Sequence, residues 1–137
     1  MTSFLYDSYR QKQLENAGVA WLTDPVKAVL IDTAAYTPSK ATHANLSDIP
    51  AGARISTTTV ATAGRTSTAG VADSADITFM AVSGPTCEAV ALYKDTGTAA
   101  TSSLICYVDQ ATGLPATPGG GDIIVMWDNG VNKIFAL

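Results

Sequence analysis

Apolar residues gather along this chain in short runs separated by turn-forming residues. The clearest run is Val26-Lys27-Ala28-Val29-Leu30-Ile31-Asp32. Pro25 stands at its entry, where a strand tolerates the missing N–H, and the run predicts a buried strand. Residues 54–60 predict another. Asp76-Ile77-Thr78-Phe79-Met80-Ala81-Val82 alternates with period two, as a half-buried strand does. Residues 88–93 and 103–108 follow, and the Lys94-Asp95-Thr96-Gly97 connection between them predicts a hairpin. Residues 123–127 and 133–137 close the chain around Asp128-Asn129-Gly130, whose Asn-Gly step suits a type I′ turn. Seven short strands punctuated by turns predict a mainly β fold, an antiparallel β-sandwich or jelly-roll-like barrel.

Two segments break this rhythm. Residues 3–16 predict a short N-terminal helix, with Thr2 or Ser3 as its cap and Asn16-Ala17-Gly18 as its stop. Phe4, Leu5, Tyr9 and Leu14 fall near one face of it. Residues 33–52 form a long polar stretch punctuated by Pro38 and Pro50, with one helical turn expected at Asn45-Leu46-Ser47-Asp48-Ile49. Loops of that length are uncommon without a function, so this one predicts a contact loop. Pro115 to Gly121 is too rich in proline and glycine for a strand and reads as a loop. The length, 137 residues, fits one domain, with residues 1–18 as a helical N-terminal segment and 19–137 as the β domain.

Composition narrows the function. Apolar residues make up 47% and charged residues 15%, against roughly 25% in an average soluble domain. A surface so sparsely ionised is open to a protein partner. Threonine and alanine supply 40 of the 137 residues, which suits pleated strands joined by small-residue turns and leaves little for a large aromatic pocket. The net charge is −4 and no basic run occurs, which argues against direct nucleic-acid binding. No stretch approaches the ~20 apolar residues of a membrane span. Met1-Thr2-Ser3-Phe4 lacks the basic and apolar regions of a signal peptide, so the chain is expected to fold first in a cytosol. Cys87 and Cys106 both sit among apolar neighbours, which predicts buried free thiols rather than a bridge.

No catalytic constellation emerges. The single histidine, His43, has no marked nucleophile beside it and no Gly-x-Ser-x-Gly elbow elsewhere; ordinary loop hydrogen bonding is expected of it. Cys87, Cys106 and one distant histidine cannot complete a zinc set. Asp73 with Asp76, or Asp122 with Asp128, could share calcium, but neither pair has EF-hand spacing, and turns and caps are the expected role. Glutamate occurs only at Glu15 and Glu88, which makes a glycosidase pair improbable. Pro118-Gly119-Gly120-Gly121 lacks the lysine and hydroxyl of a phosphate loop. The residues therefore predict a non-enzymatic protein with no catalytic residue, no metal and no cofactor.

Longer stretches resemble a family of small structural proteins of tailed bacteriophages. The likeness begins at Leu5-Tyr6-Asp7 and runs through 26–37, continuing in Leu46-Ser47-Asp48-Ile49-Pro50-Ala51-Gly52-Ala53-Arg54 and Gly70-Val71-Ala72-Asp73. It is densest in Tyr93-Lys94-Asp95-Thr96-Gly97, Ala111-Thr112-Gly113-Leu114-Pro115 and Trp127-Asp128-Asn129-Gly130, and ends with Lys133-Ile134-Phe135. Residues 16–25 depart from the family's pattern. The resemblance implies a virion structural protein, with a capsid decoration or cement protein preferred. Such a protein would bind and stabilise the major capsid protein shell from the capsid exterior, as a homo-oligomer (dimer or trimer) assembled in the host bacterial cytoplasm. It would touch neither membrane nor nucleic acid directly. The alternatives are a tail, neck or fibre-associated component, or a carbohydrate-binding module on the virion stacking sugars on Trp21, Trp127 or one of the five tyrosines, although Trp127 is better explained as strand core. If contact is the function, the expected contact residues are Phe4, Tyr6 and Tyr9 on the N-terminal segment and Tyr36, Leu46 and Ile49 in the long loop.

Overall fold

A computed structural model describes residues 3–109, 111–127 and 134–136. Among them the chain forms ten strands and one α-helix: β1 (Phe4–Leu5), α1 (Asp7–Leu14), β2 (Val26–Ile31), β3 (Arg54–Thr59), β4 (Thr66–Thr68), β5 (Val71–Asp73), β6 (Ile77–Phe79), β7 (Ala89–Lys94), β8 (Leu104–Val108), β9 (Ile123–Val125) and β10 (Phe135–Ala136). Every pairing is antiparallel. The fold is mainly β with a short helix near the N-terminus, as its pattern predicts. Thr2 as a helix cap, the Asp128-Asn129-Gly130 turn and the outer residues of the last predicted strand lie outside the described residues. No helix among the described residues is long and apolar enough to cross a membrane.

The framework is a five-stranded sheet in the order β1-β8-β7-β2-β3. Its three central strands are apolar along nearly their whole length because both faces are covered. On one face lie Val26, Ala28, Leu30, Val90, Leu92, Cys106 and Val108. On the other lie Val29, Ile31, Ala89, Ala91, Tyr93, Leu104 and Tyr107. Successive residues of a strand point to opposite faces, so each strand feeds two cores at once. One irregularity resets the count: Tyr93 pairs with Leu104 but Leu92 with Cys106, leaving Ile105 as an extra residue. This β-bulge lets Ile105 and Cys106 both join the first core, and the Ile105 carbonyl accepts a hydrogen bond from Tyr6 N–H at 3.0 Å.

The first face is roofed by two smaller sheets, β10-β5-β4 and β6-β9, and by Tyr9, Val19 and Trp21. Arg65 ties this roof down. Its guanidinium donates to the carbonyls of Trp21 (2.9 Å), Asp24 (2.6 Å) and Val60 (2.6 Å), and lies over the Trp21 ring. Trp127 is buried here, with its indole N–H on Ser74 Oγ at 2.9 Å. The second face is covered by the long loop through Tyr36, Leu46, Ile49 and Ala53, together with Tyr6. The helical turn expected at 45–49 is present as a 3₁₀ turn, Leu46–Asp48, closed by a reciprocal capping box between Asn45 and Asp48.

Several elements differ from the sequence expectation. The N-terminal helix spans Asp7–Leu14, not 3–16, because Phe4 and Leu5 pair with Tyr107 and Cys106 at the edge of the main sheet. Tyr6 occupies the N-cap without a side-chain cap. The stop is where it was expected: Asn16 takes a left-handed φ of 56° and Ala17 N–H reaches back to Lys12 O at 2.9 Å. β7 and β8 do pair, but through a longer connection whose Ser102 hydroxyl accepts from Thr96 N–H and donates to Thr98 O. The β4–β5 hairpin is additional; Ala69 (φ 52°) and Gly70 (φ 80°) form its two-residue turn.

Candidate functional site

The six residues expected to meet a partner are mostly inside the molecule. Tyr6 and Ile49 are fully buried, and Tyr9, Tyr36 and Leu46 are nearly so; Phe4 is half-buried. For the five buried ones this corrects the assignment as surface contacts. A β-rich sheet with two apolar faces needs a second cover, and the long loop and the segment leading into α1 supply it. Phe4, Tyr6, Tyr36, Leu46 and Ile49 come together on the second face, whereas Tyr9 packs on the first, edge-on to Phe135 at 5.7 Å. The loop is also fixed by its backbone: Leu46 N–H donates to Ser102 O, Ser47 N–H to Ala99 O, and Leu104 N–H to Ala44 O.

Within that cover runs a chain of polar groups. Ser39 N–H donates to His43 Nδ1 at 3.2 Å, so this nitrogen is an acceptor. The Tyr36 hydroxyl, 2.8 Å from the same nitrogen, therefore donates to it and accepts in turn from the Tyr6 hydroxyl at 2.9 Å. His43 stacks on Tyr36, 5.4 Å between centroids. Burial, first of all, drives the Tyr6 hydroxyl far above its usual range, with donation to Tyr36 adding to it. His43 thus makes loop hydrogen bonds and has no nucleophile in this network.

The other chemistry-bearing residues also have structural occupations. Cys87 and Cys106 are buried and unbridged, as their apolar neighbours predict. Burial pushes the Cys106 thiol up to about 12 and the Cys87 thiol up to about 11, so both stay protonated and unreactive near neutrality. Asp76 accepts from Trp127 N–H at 3.0 Å and Asp122 from Ala81 N–H at 2.9 Å; these bonds tie the β6–β9 ribbon together at its two ends and are not the local turns and caps expected of them. Among the described residues, no group of three or more His, Cys, Asp or Glu is placed to hold a metal ion. Trp21 and Trp127 are buried in the first core, so neither offers an open ring face to a sugar.

Two surface features emerge that the sequence does not reveal. The first is a cleft of about 420 Å³ beside the second core, lined by Thr33, Tyr36, Pro38, Glu88, Tyr107 and Asp109 among others. Glu88 Oε1 accepts from both Thr33 N–H (3.0 Å) and Thr33 Oγ1 (3.1 Å), fixing the start of the loop. Asp109 N–H donates to Ser3 Oγ at 3.2 Å. Tyr107 stacks on Phe4, 5.3 Å between centroids. Its hydroxyl makes no hydrogen bond among the described residues. Burial pushes that hydroxyl up to about 12, followed by the negative charge of Asp109, then by Tyr36 and Glu88.

The second feature is the outer face of the β6–β9 ribbon. Ile77, Phe79 and Val125 point inward, so their neighbours point outward. Ile124 is opposite Thr78, and Met126 and Met80 continue the same face. Met80 is 70% exposed, Ile124 53% and Met126 41%. The ribbon is tied to the neighbouring stretch of chain by pairing of Met126 with Thr112, and Gly113 (φ 103°) follows with its Cα against the Ile124 carbonyl, where a side chain would collide. The alternation of residues 76–82 hints at an outward Met80; the apolar run 123–127 hides which residues face outward. The cleft gives no sequence signal, because Thr33, Glu88 and Asp109 meet only through the pairing of β2, β7 and β8.

No protein-family model matches the chain, and a search of curated proteins finds no relative.

Proposed function

We propose that the chain is a non-enzymatic structural protein of a tailed-phage virion, a capsid decoration or cement protein bound to the major capsid protein. The observation that carries this reading is the exposed apolar face of Met80, Ile124 and Met126 on a molecule with few surface charges. Three large apolar side chains exposed along one face of a paired ribbon are a protein-contact surface in search of its complement. Around a capsid lattice, many copies of one modest contact add up through multivalency. The sequence resemblance supplies the partner, and the two continuously covered faces of the sheet suit a stiff clamp.

Purified heads, including tailless ones, should carry the protein in stoichiometric copies. Ile124→Glu should remove it from heads while leaving the thermal unfolding midpoint of the free protein unchanged. Absence of the wild-type protein from tailless heads overturns the decoration reading, and label confined to the tail or one vertex replaces it with a tail or neck component.

A further inference from the structure

The cleft beside Tyr107 has a composition that points to a particular kind of occupant. Two carboxylates, Glu88 and Asp109, share it with the hydroxyl of a tyrosine only 1% exposed. That hydroxyl has no hydrogen-bond partner among the described residues, so its oxygen is open to an occupant of the cleft. On Glu88, Oε1 is engaged by Thr33; on Asp109, Oδ1 accepts from Ser3 Oγ at 3.4 Å. Neither Glu88 Oε2 nor Asp109 Oδ2 has a hydrogen bond among the described residues. The remaining lining is Tyr36, Thr37, Pro38 and Pro115. The volume lies at the lower end of the roughly 300–1,000 Å³ of ligand pockets, enough for one long side chain and the backbone that carries it.

We propose that this cleft receives an arginine side chain from an extended segment of a partner protein, its guanidinium held by Glu88, Asp109 and the Tyr107 hydroxyl. A guanidinium brings five donors in a plane and no acceptor, matching three acceptor groups, and its face stacks on aromatic and proline rings. An ammonium would satisfy the charge but, as a point charge, lacks the planar fork of donors that reaches both carboxylates at once. The net charge of −4 draws a cationic segment toward the chain and disfavours a second copy as the source. Most of its own basic groups are committed, Lys27 to Asp95, Lys40 to Asp7, Lys94 to Asp24, Arg54 to the Ile49 carbonyl and Arg65 inside the roof, while Arg10 stays exposed. The inference is independent of the virion reading, since the cleft lies beside the core on the opposite face of the main sheet from the apolar ribbon.

The test is titration of the ¹⁵N-labelled protein with acetyl-Gly-Arg-Gly-amide, following the amides of Thr33, Glu88 and Asp109. Saturable shifts are expected, weakened at least tenfold with the citrulline peptide, a neutral isostere, and weakened again as salt rises to roughly 0.5 M, where charges are screened within a few ångströms. Glu88→Gln combined with Asp109→Asn should abolish the shifts, and both amides retain the oxygen that accepts from Thr33 or Ser3. Tyr107→Phe should weaken binding several-fold in otherwise unchanged spectra. The citrulline and salt arms use the wild-type protein, so they decide the question even if a variant misfolds. No saturable shift, equal shifts with citrulline, or tighter saturation by spermidine than by the arginine peptide would each overturn the proposal.

Discussion

Ile49→Ala separates a packed cover from a contact loop. Ile49 is fully buried on the second face of the main sheet, at the end of the 3₁₀ turn, and its N–H donates to Leu46 O at 2.9 Å. The substitution removes three carbons and leaves the backbone bonds intact. Lost transfer free energy is roughly 0.8 kcal/mol per carbon, a little over 2 kcal/mol in all. Incomplete collapse of the cavity adds about 1 kcal/mol, placing the expected cost near 3 kcal/mol, within the usual range for Ile→Ala. For a chain of this length that corresponds to a fall of roughly 10 °C in Tm. Urea unfolding with an unchanged slope would give the same free energy as a shift in midpoint. Hydrogen exchange adds the location: the amides of Leu46, Ser47 and Leu104, which join loop and sheet, should lose roughly 100-fold in protection. A variant with the wild-type midpoint and unchanged exchange at these amides would refute the argument, because the loop would then contribute no packing energy to the fold.

Further outcomes follow from other positions. Arg65→Met should cost about 2–4 kcal/mol in urea unfolding, since three carbonyls lose a charged donor inside the roof, and Arg65→Lys should recover only part of it. Ala69→Asn should raise stability by about 0.5–1 kcal/mol, because Ala69 holds a left-handed φ that asparagine adopts more readily; a lower Tm would contradict this. Raising pH should unfold the protein. The Cys87 and Cys106 thiols and the Tyr9 and Tyr107 hydroxyls all ionise later in the fold than in the unfolded chain, so above pH ~9 the native state holds more protons and stability falls, most steeply toward pH 11–12. Asp24 and Asp48 work in the opposite sense. Backbone N–H groups of Ala20, and of Ala44 and Asn45, hold their carboxyls below the ordinary range, so their contribution is lost as pH drops below about 4. Circular dichroism across both ranges checks the two signs.

The parts of the fold legible in the sequence are those that depend on local pattern. Val26–Ile31, Ala89–Lys94 and Leu104–Val108 are apolar enough to be strands whatever surrounds them. Asn45 and Asp48 carry the spacing of a cap, and Asn16 that of a stop. Phe4 and Leu5 were misplaced because two apolar residues before a charged helix carry no period of their own; only the open edge of β8, a hundred residues away, makes them a strand. The β4–β5 hairpin escaped because its turn uses Ala69-Gly70 in place of asparagine-glycine. The contact residues failed for a different reason. Tyr36, Leu46 and Ile49 in a polar loop look exposed until the sheet is known to have a second apolar face. Glu88, Tyr107 and Asp109 could not be linked at all, because their proximity belongs to the sheet and to no segment of it.

The pairing of β1 with β8 also bears on how the protein is made. Phe4 and Leu5 find their partners only once Tyr107 and Cys106 have been synthesised, and β2, which can pair with β3 earlier, still waits for β7 along its other edge. At about 5–20 residues per second, the nascent chain spends several seconds with the apolar runs of β2 and the long loop lacking their sheet. Contacts so distant in sequence make folding slow. Assembly of this sheet thus waits for β8, and β1, made about a hundred residues earlier, is among the last of its strands to settle.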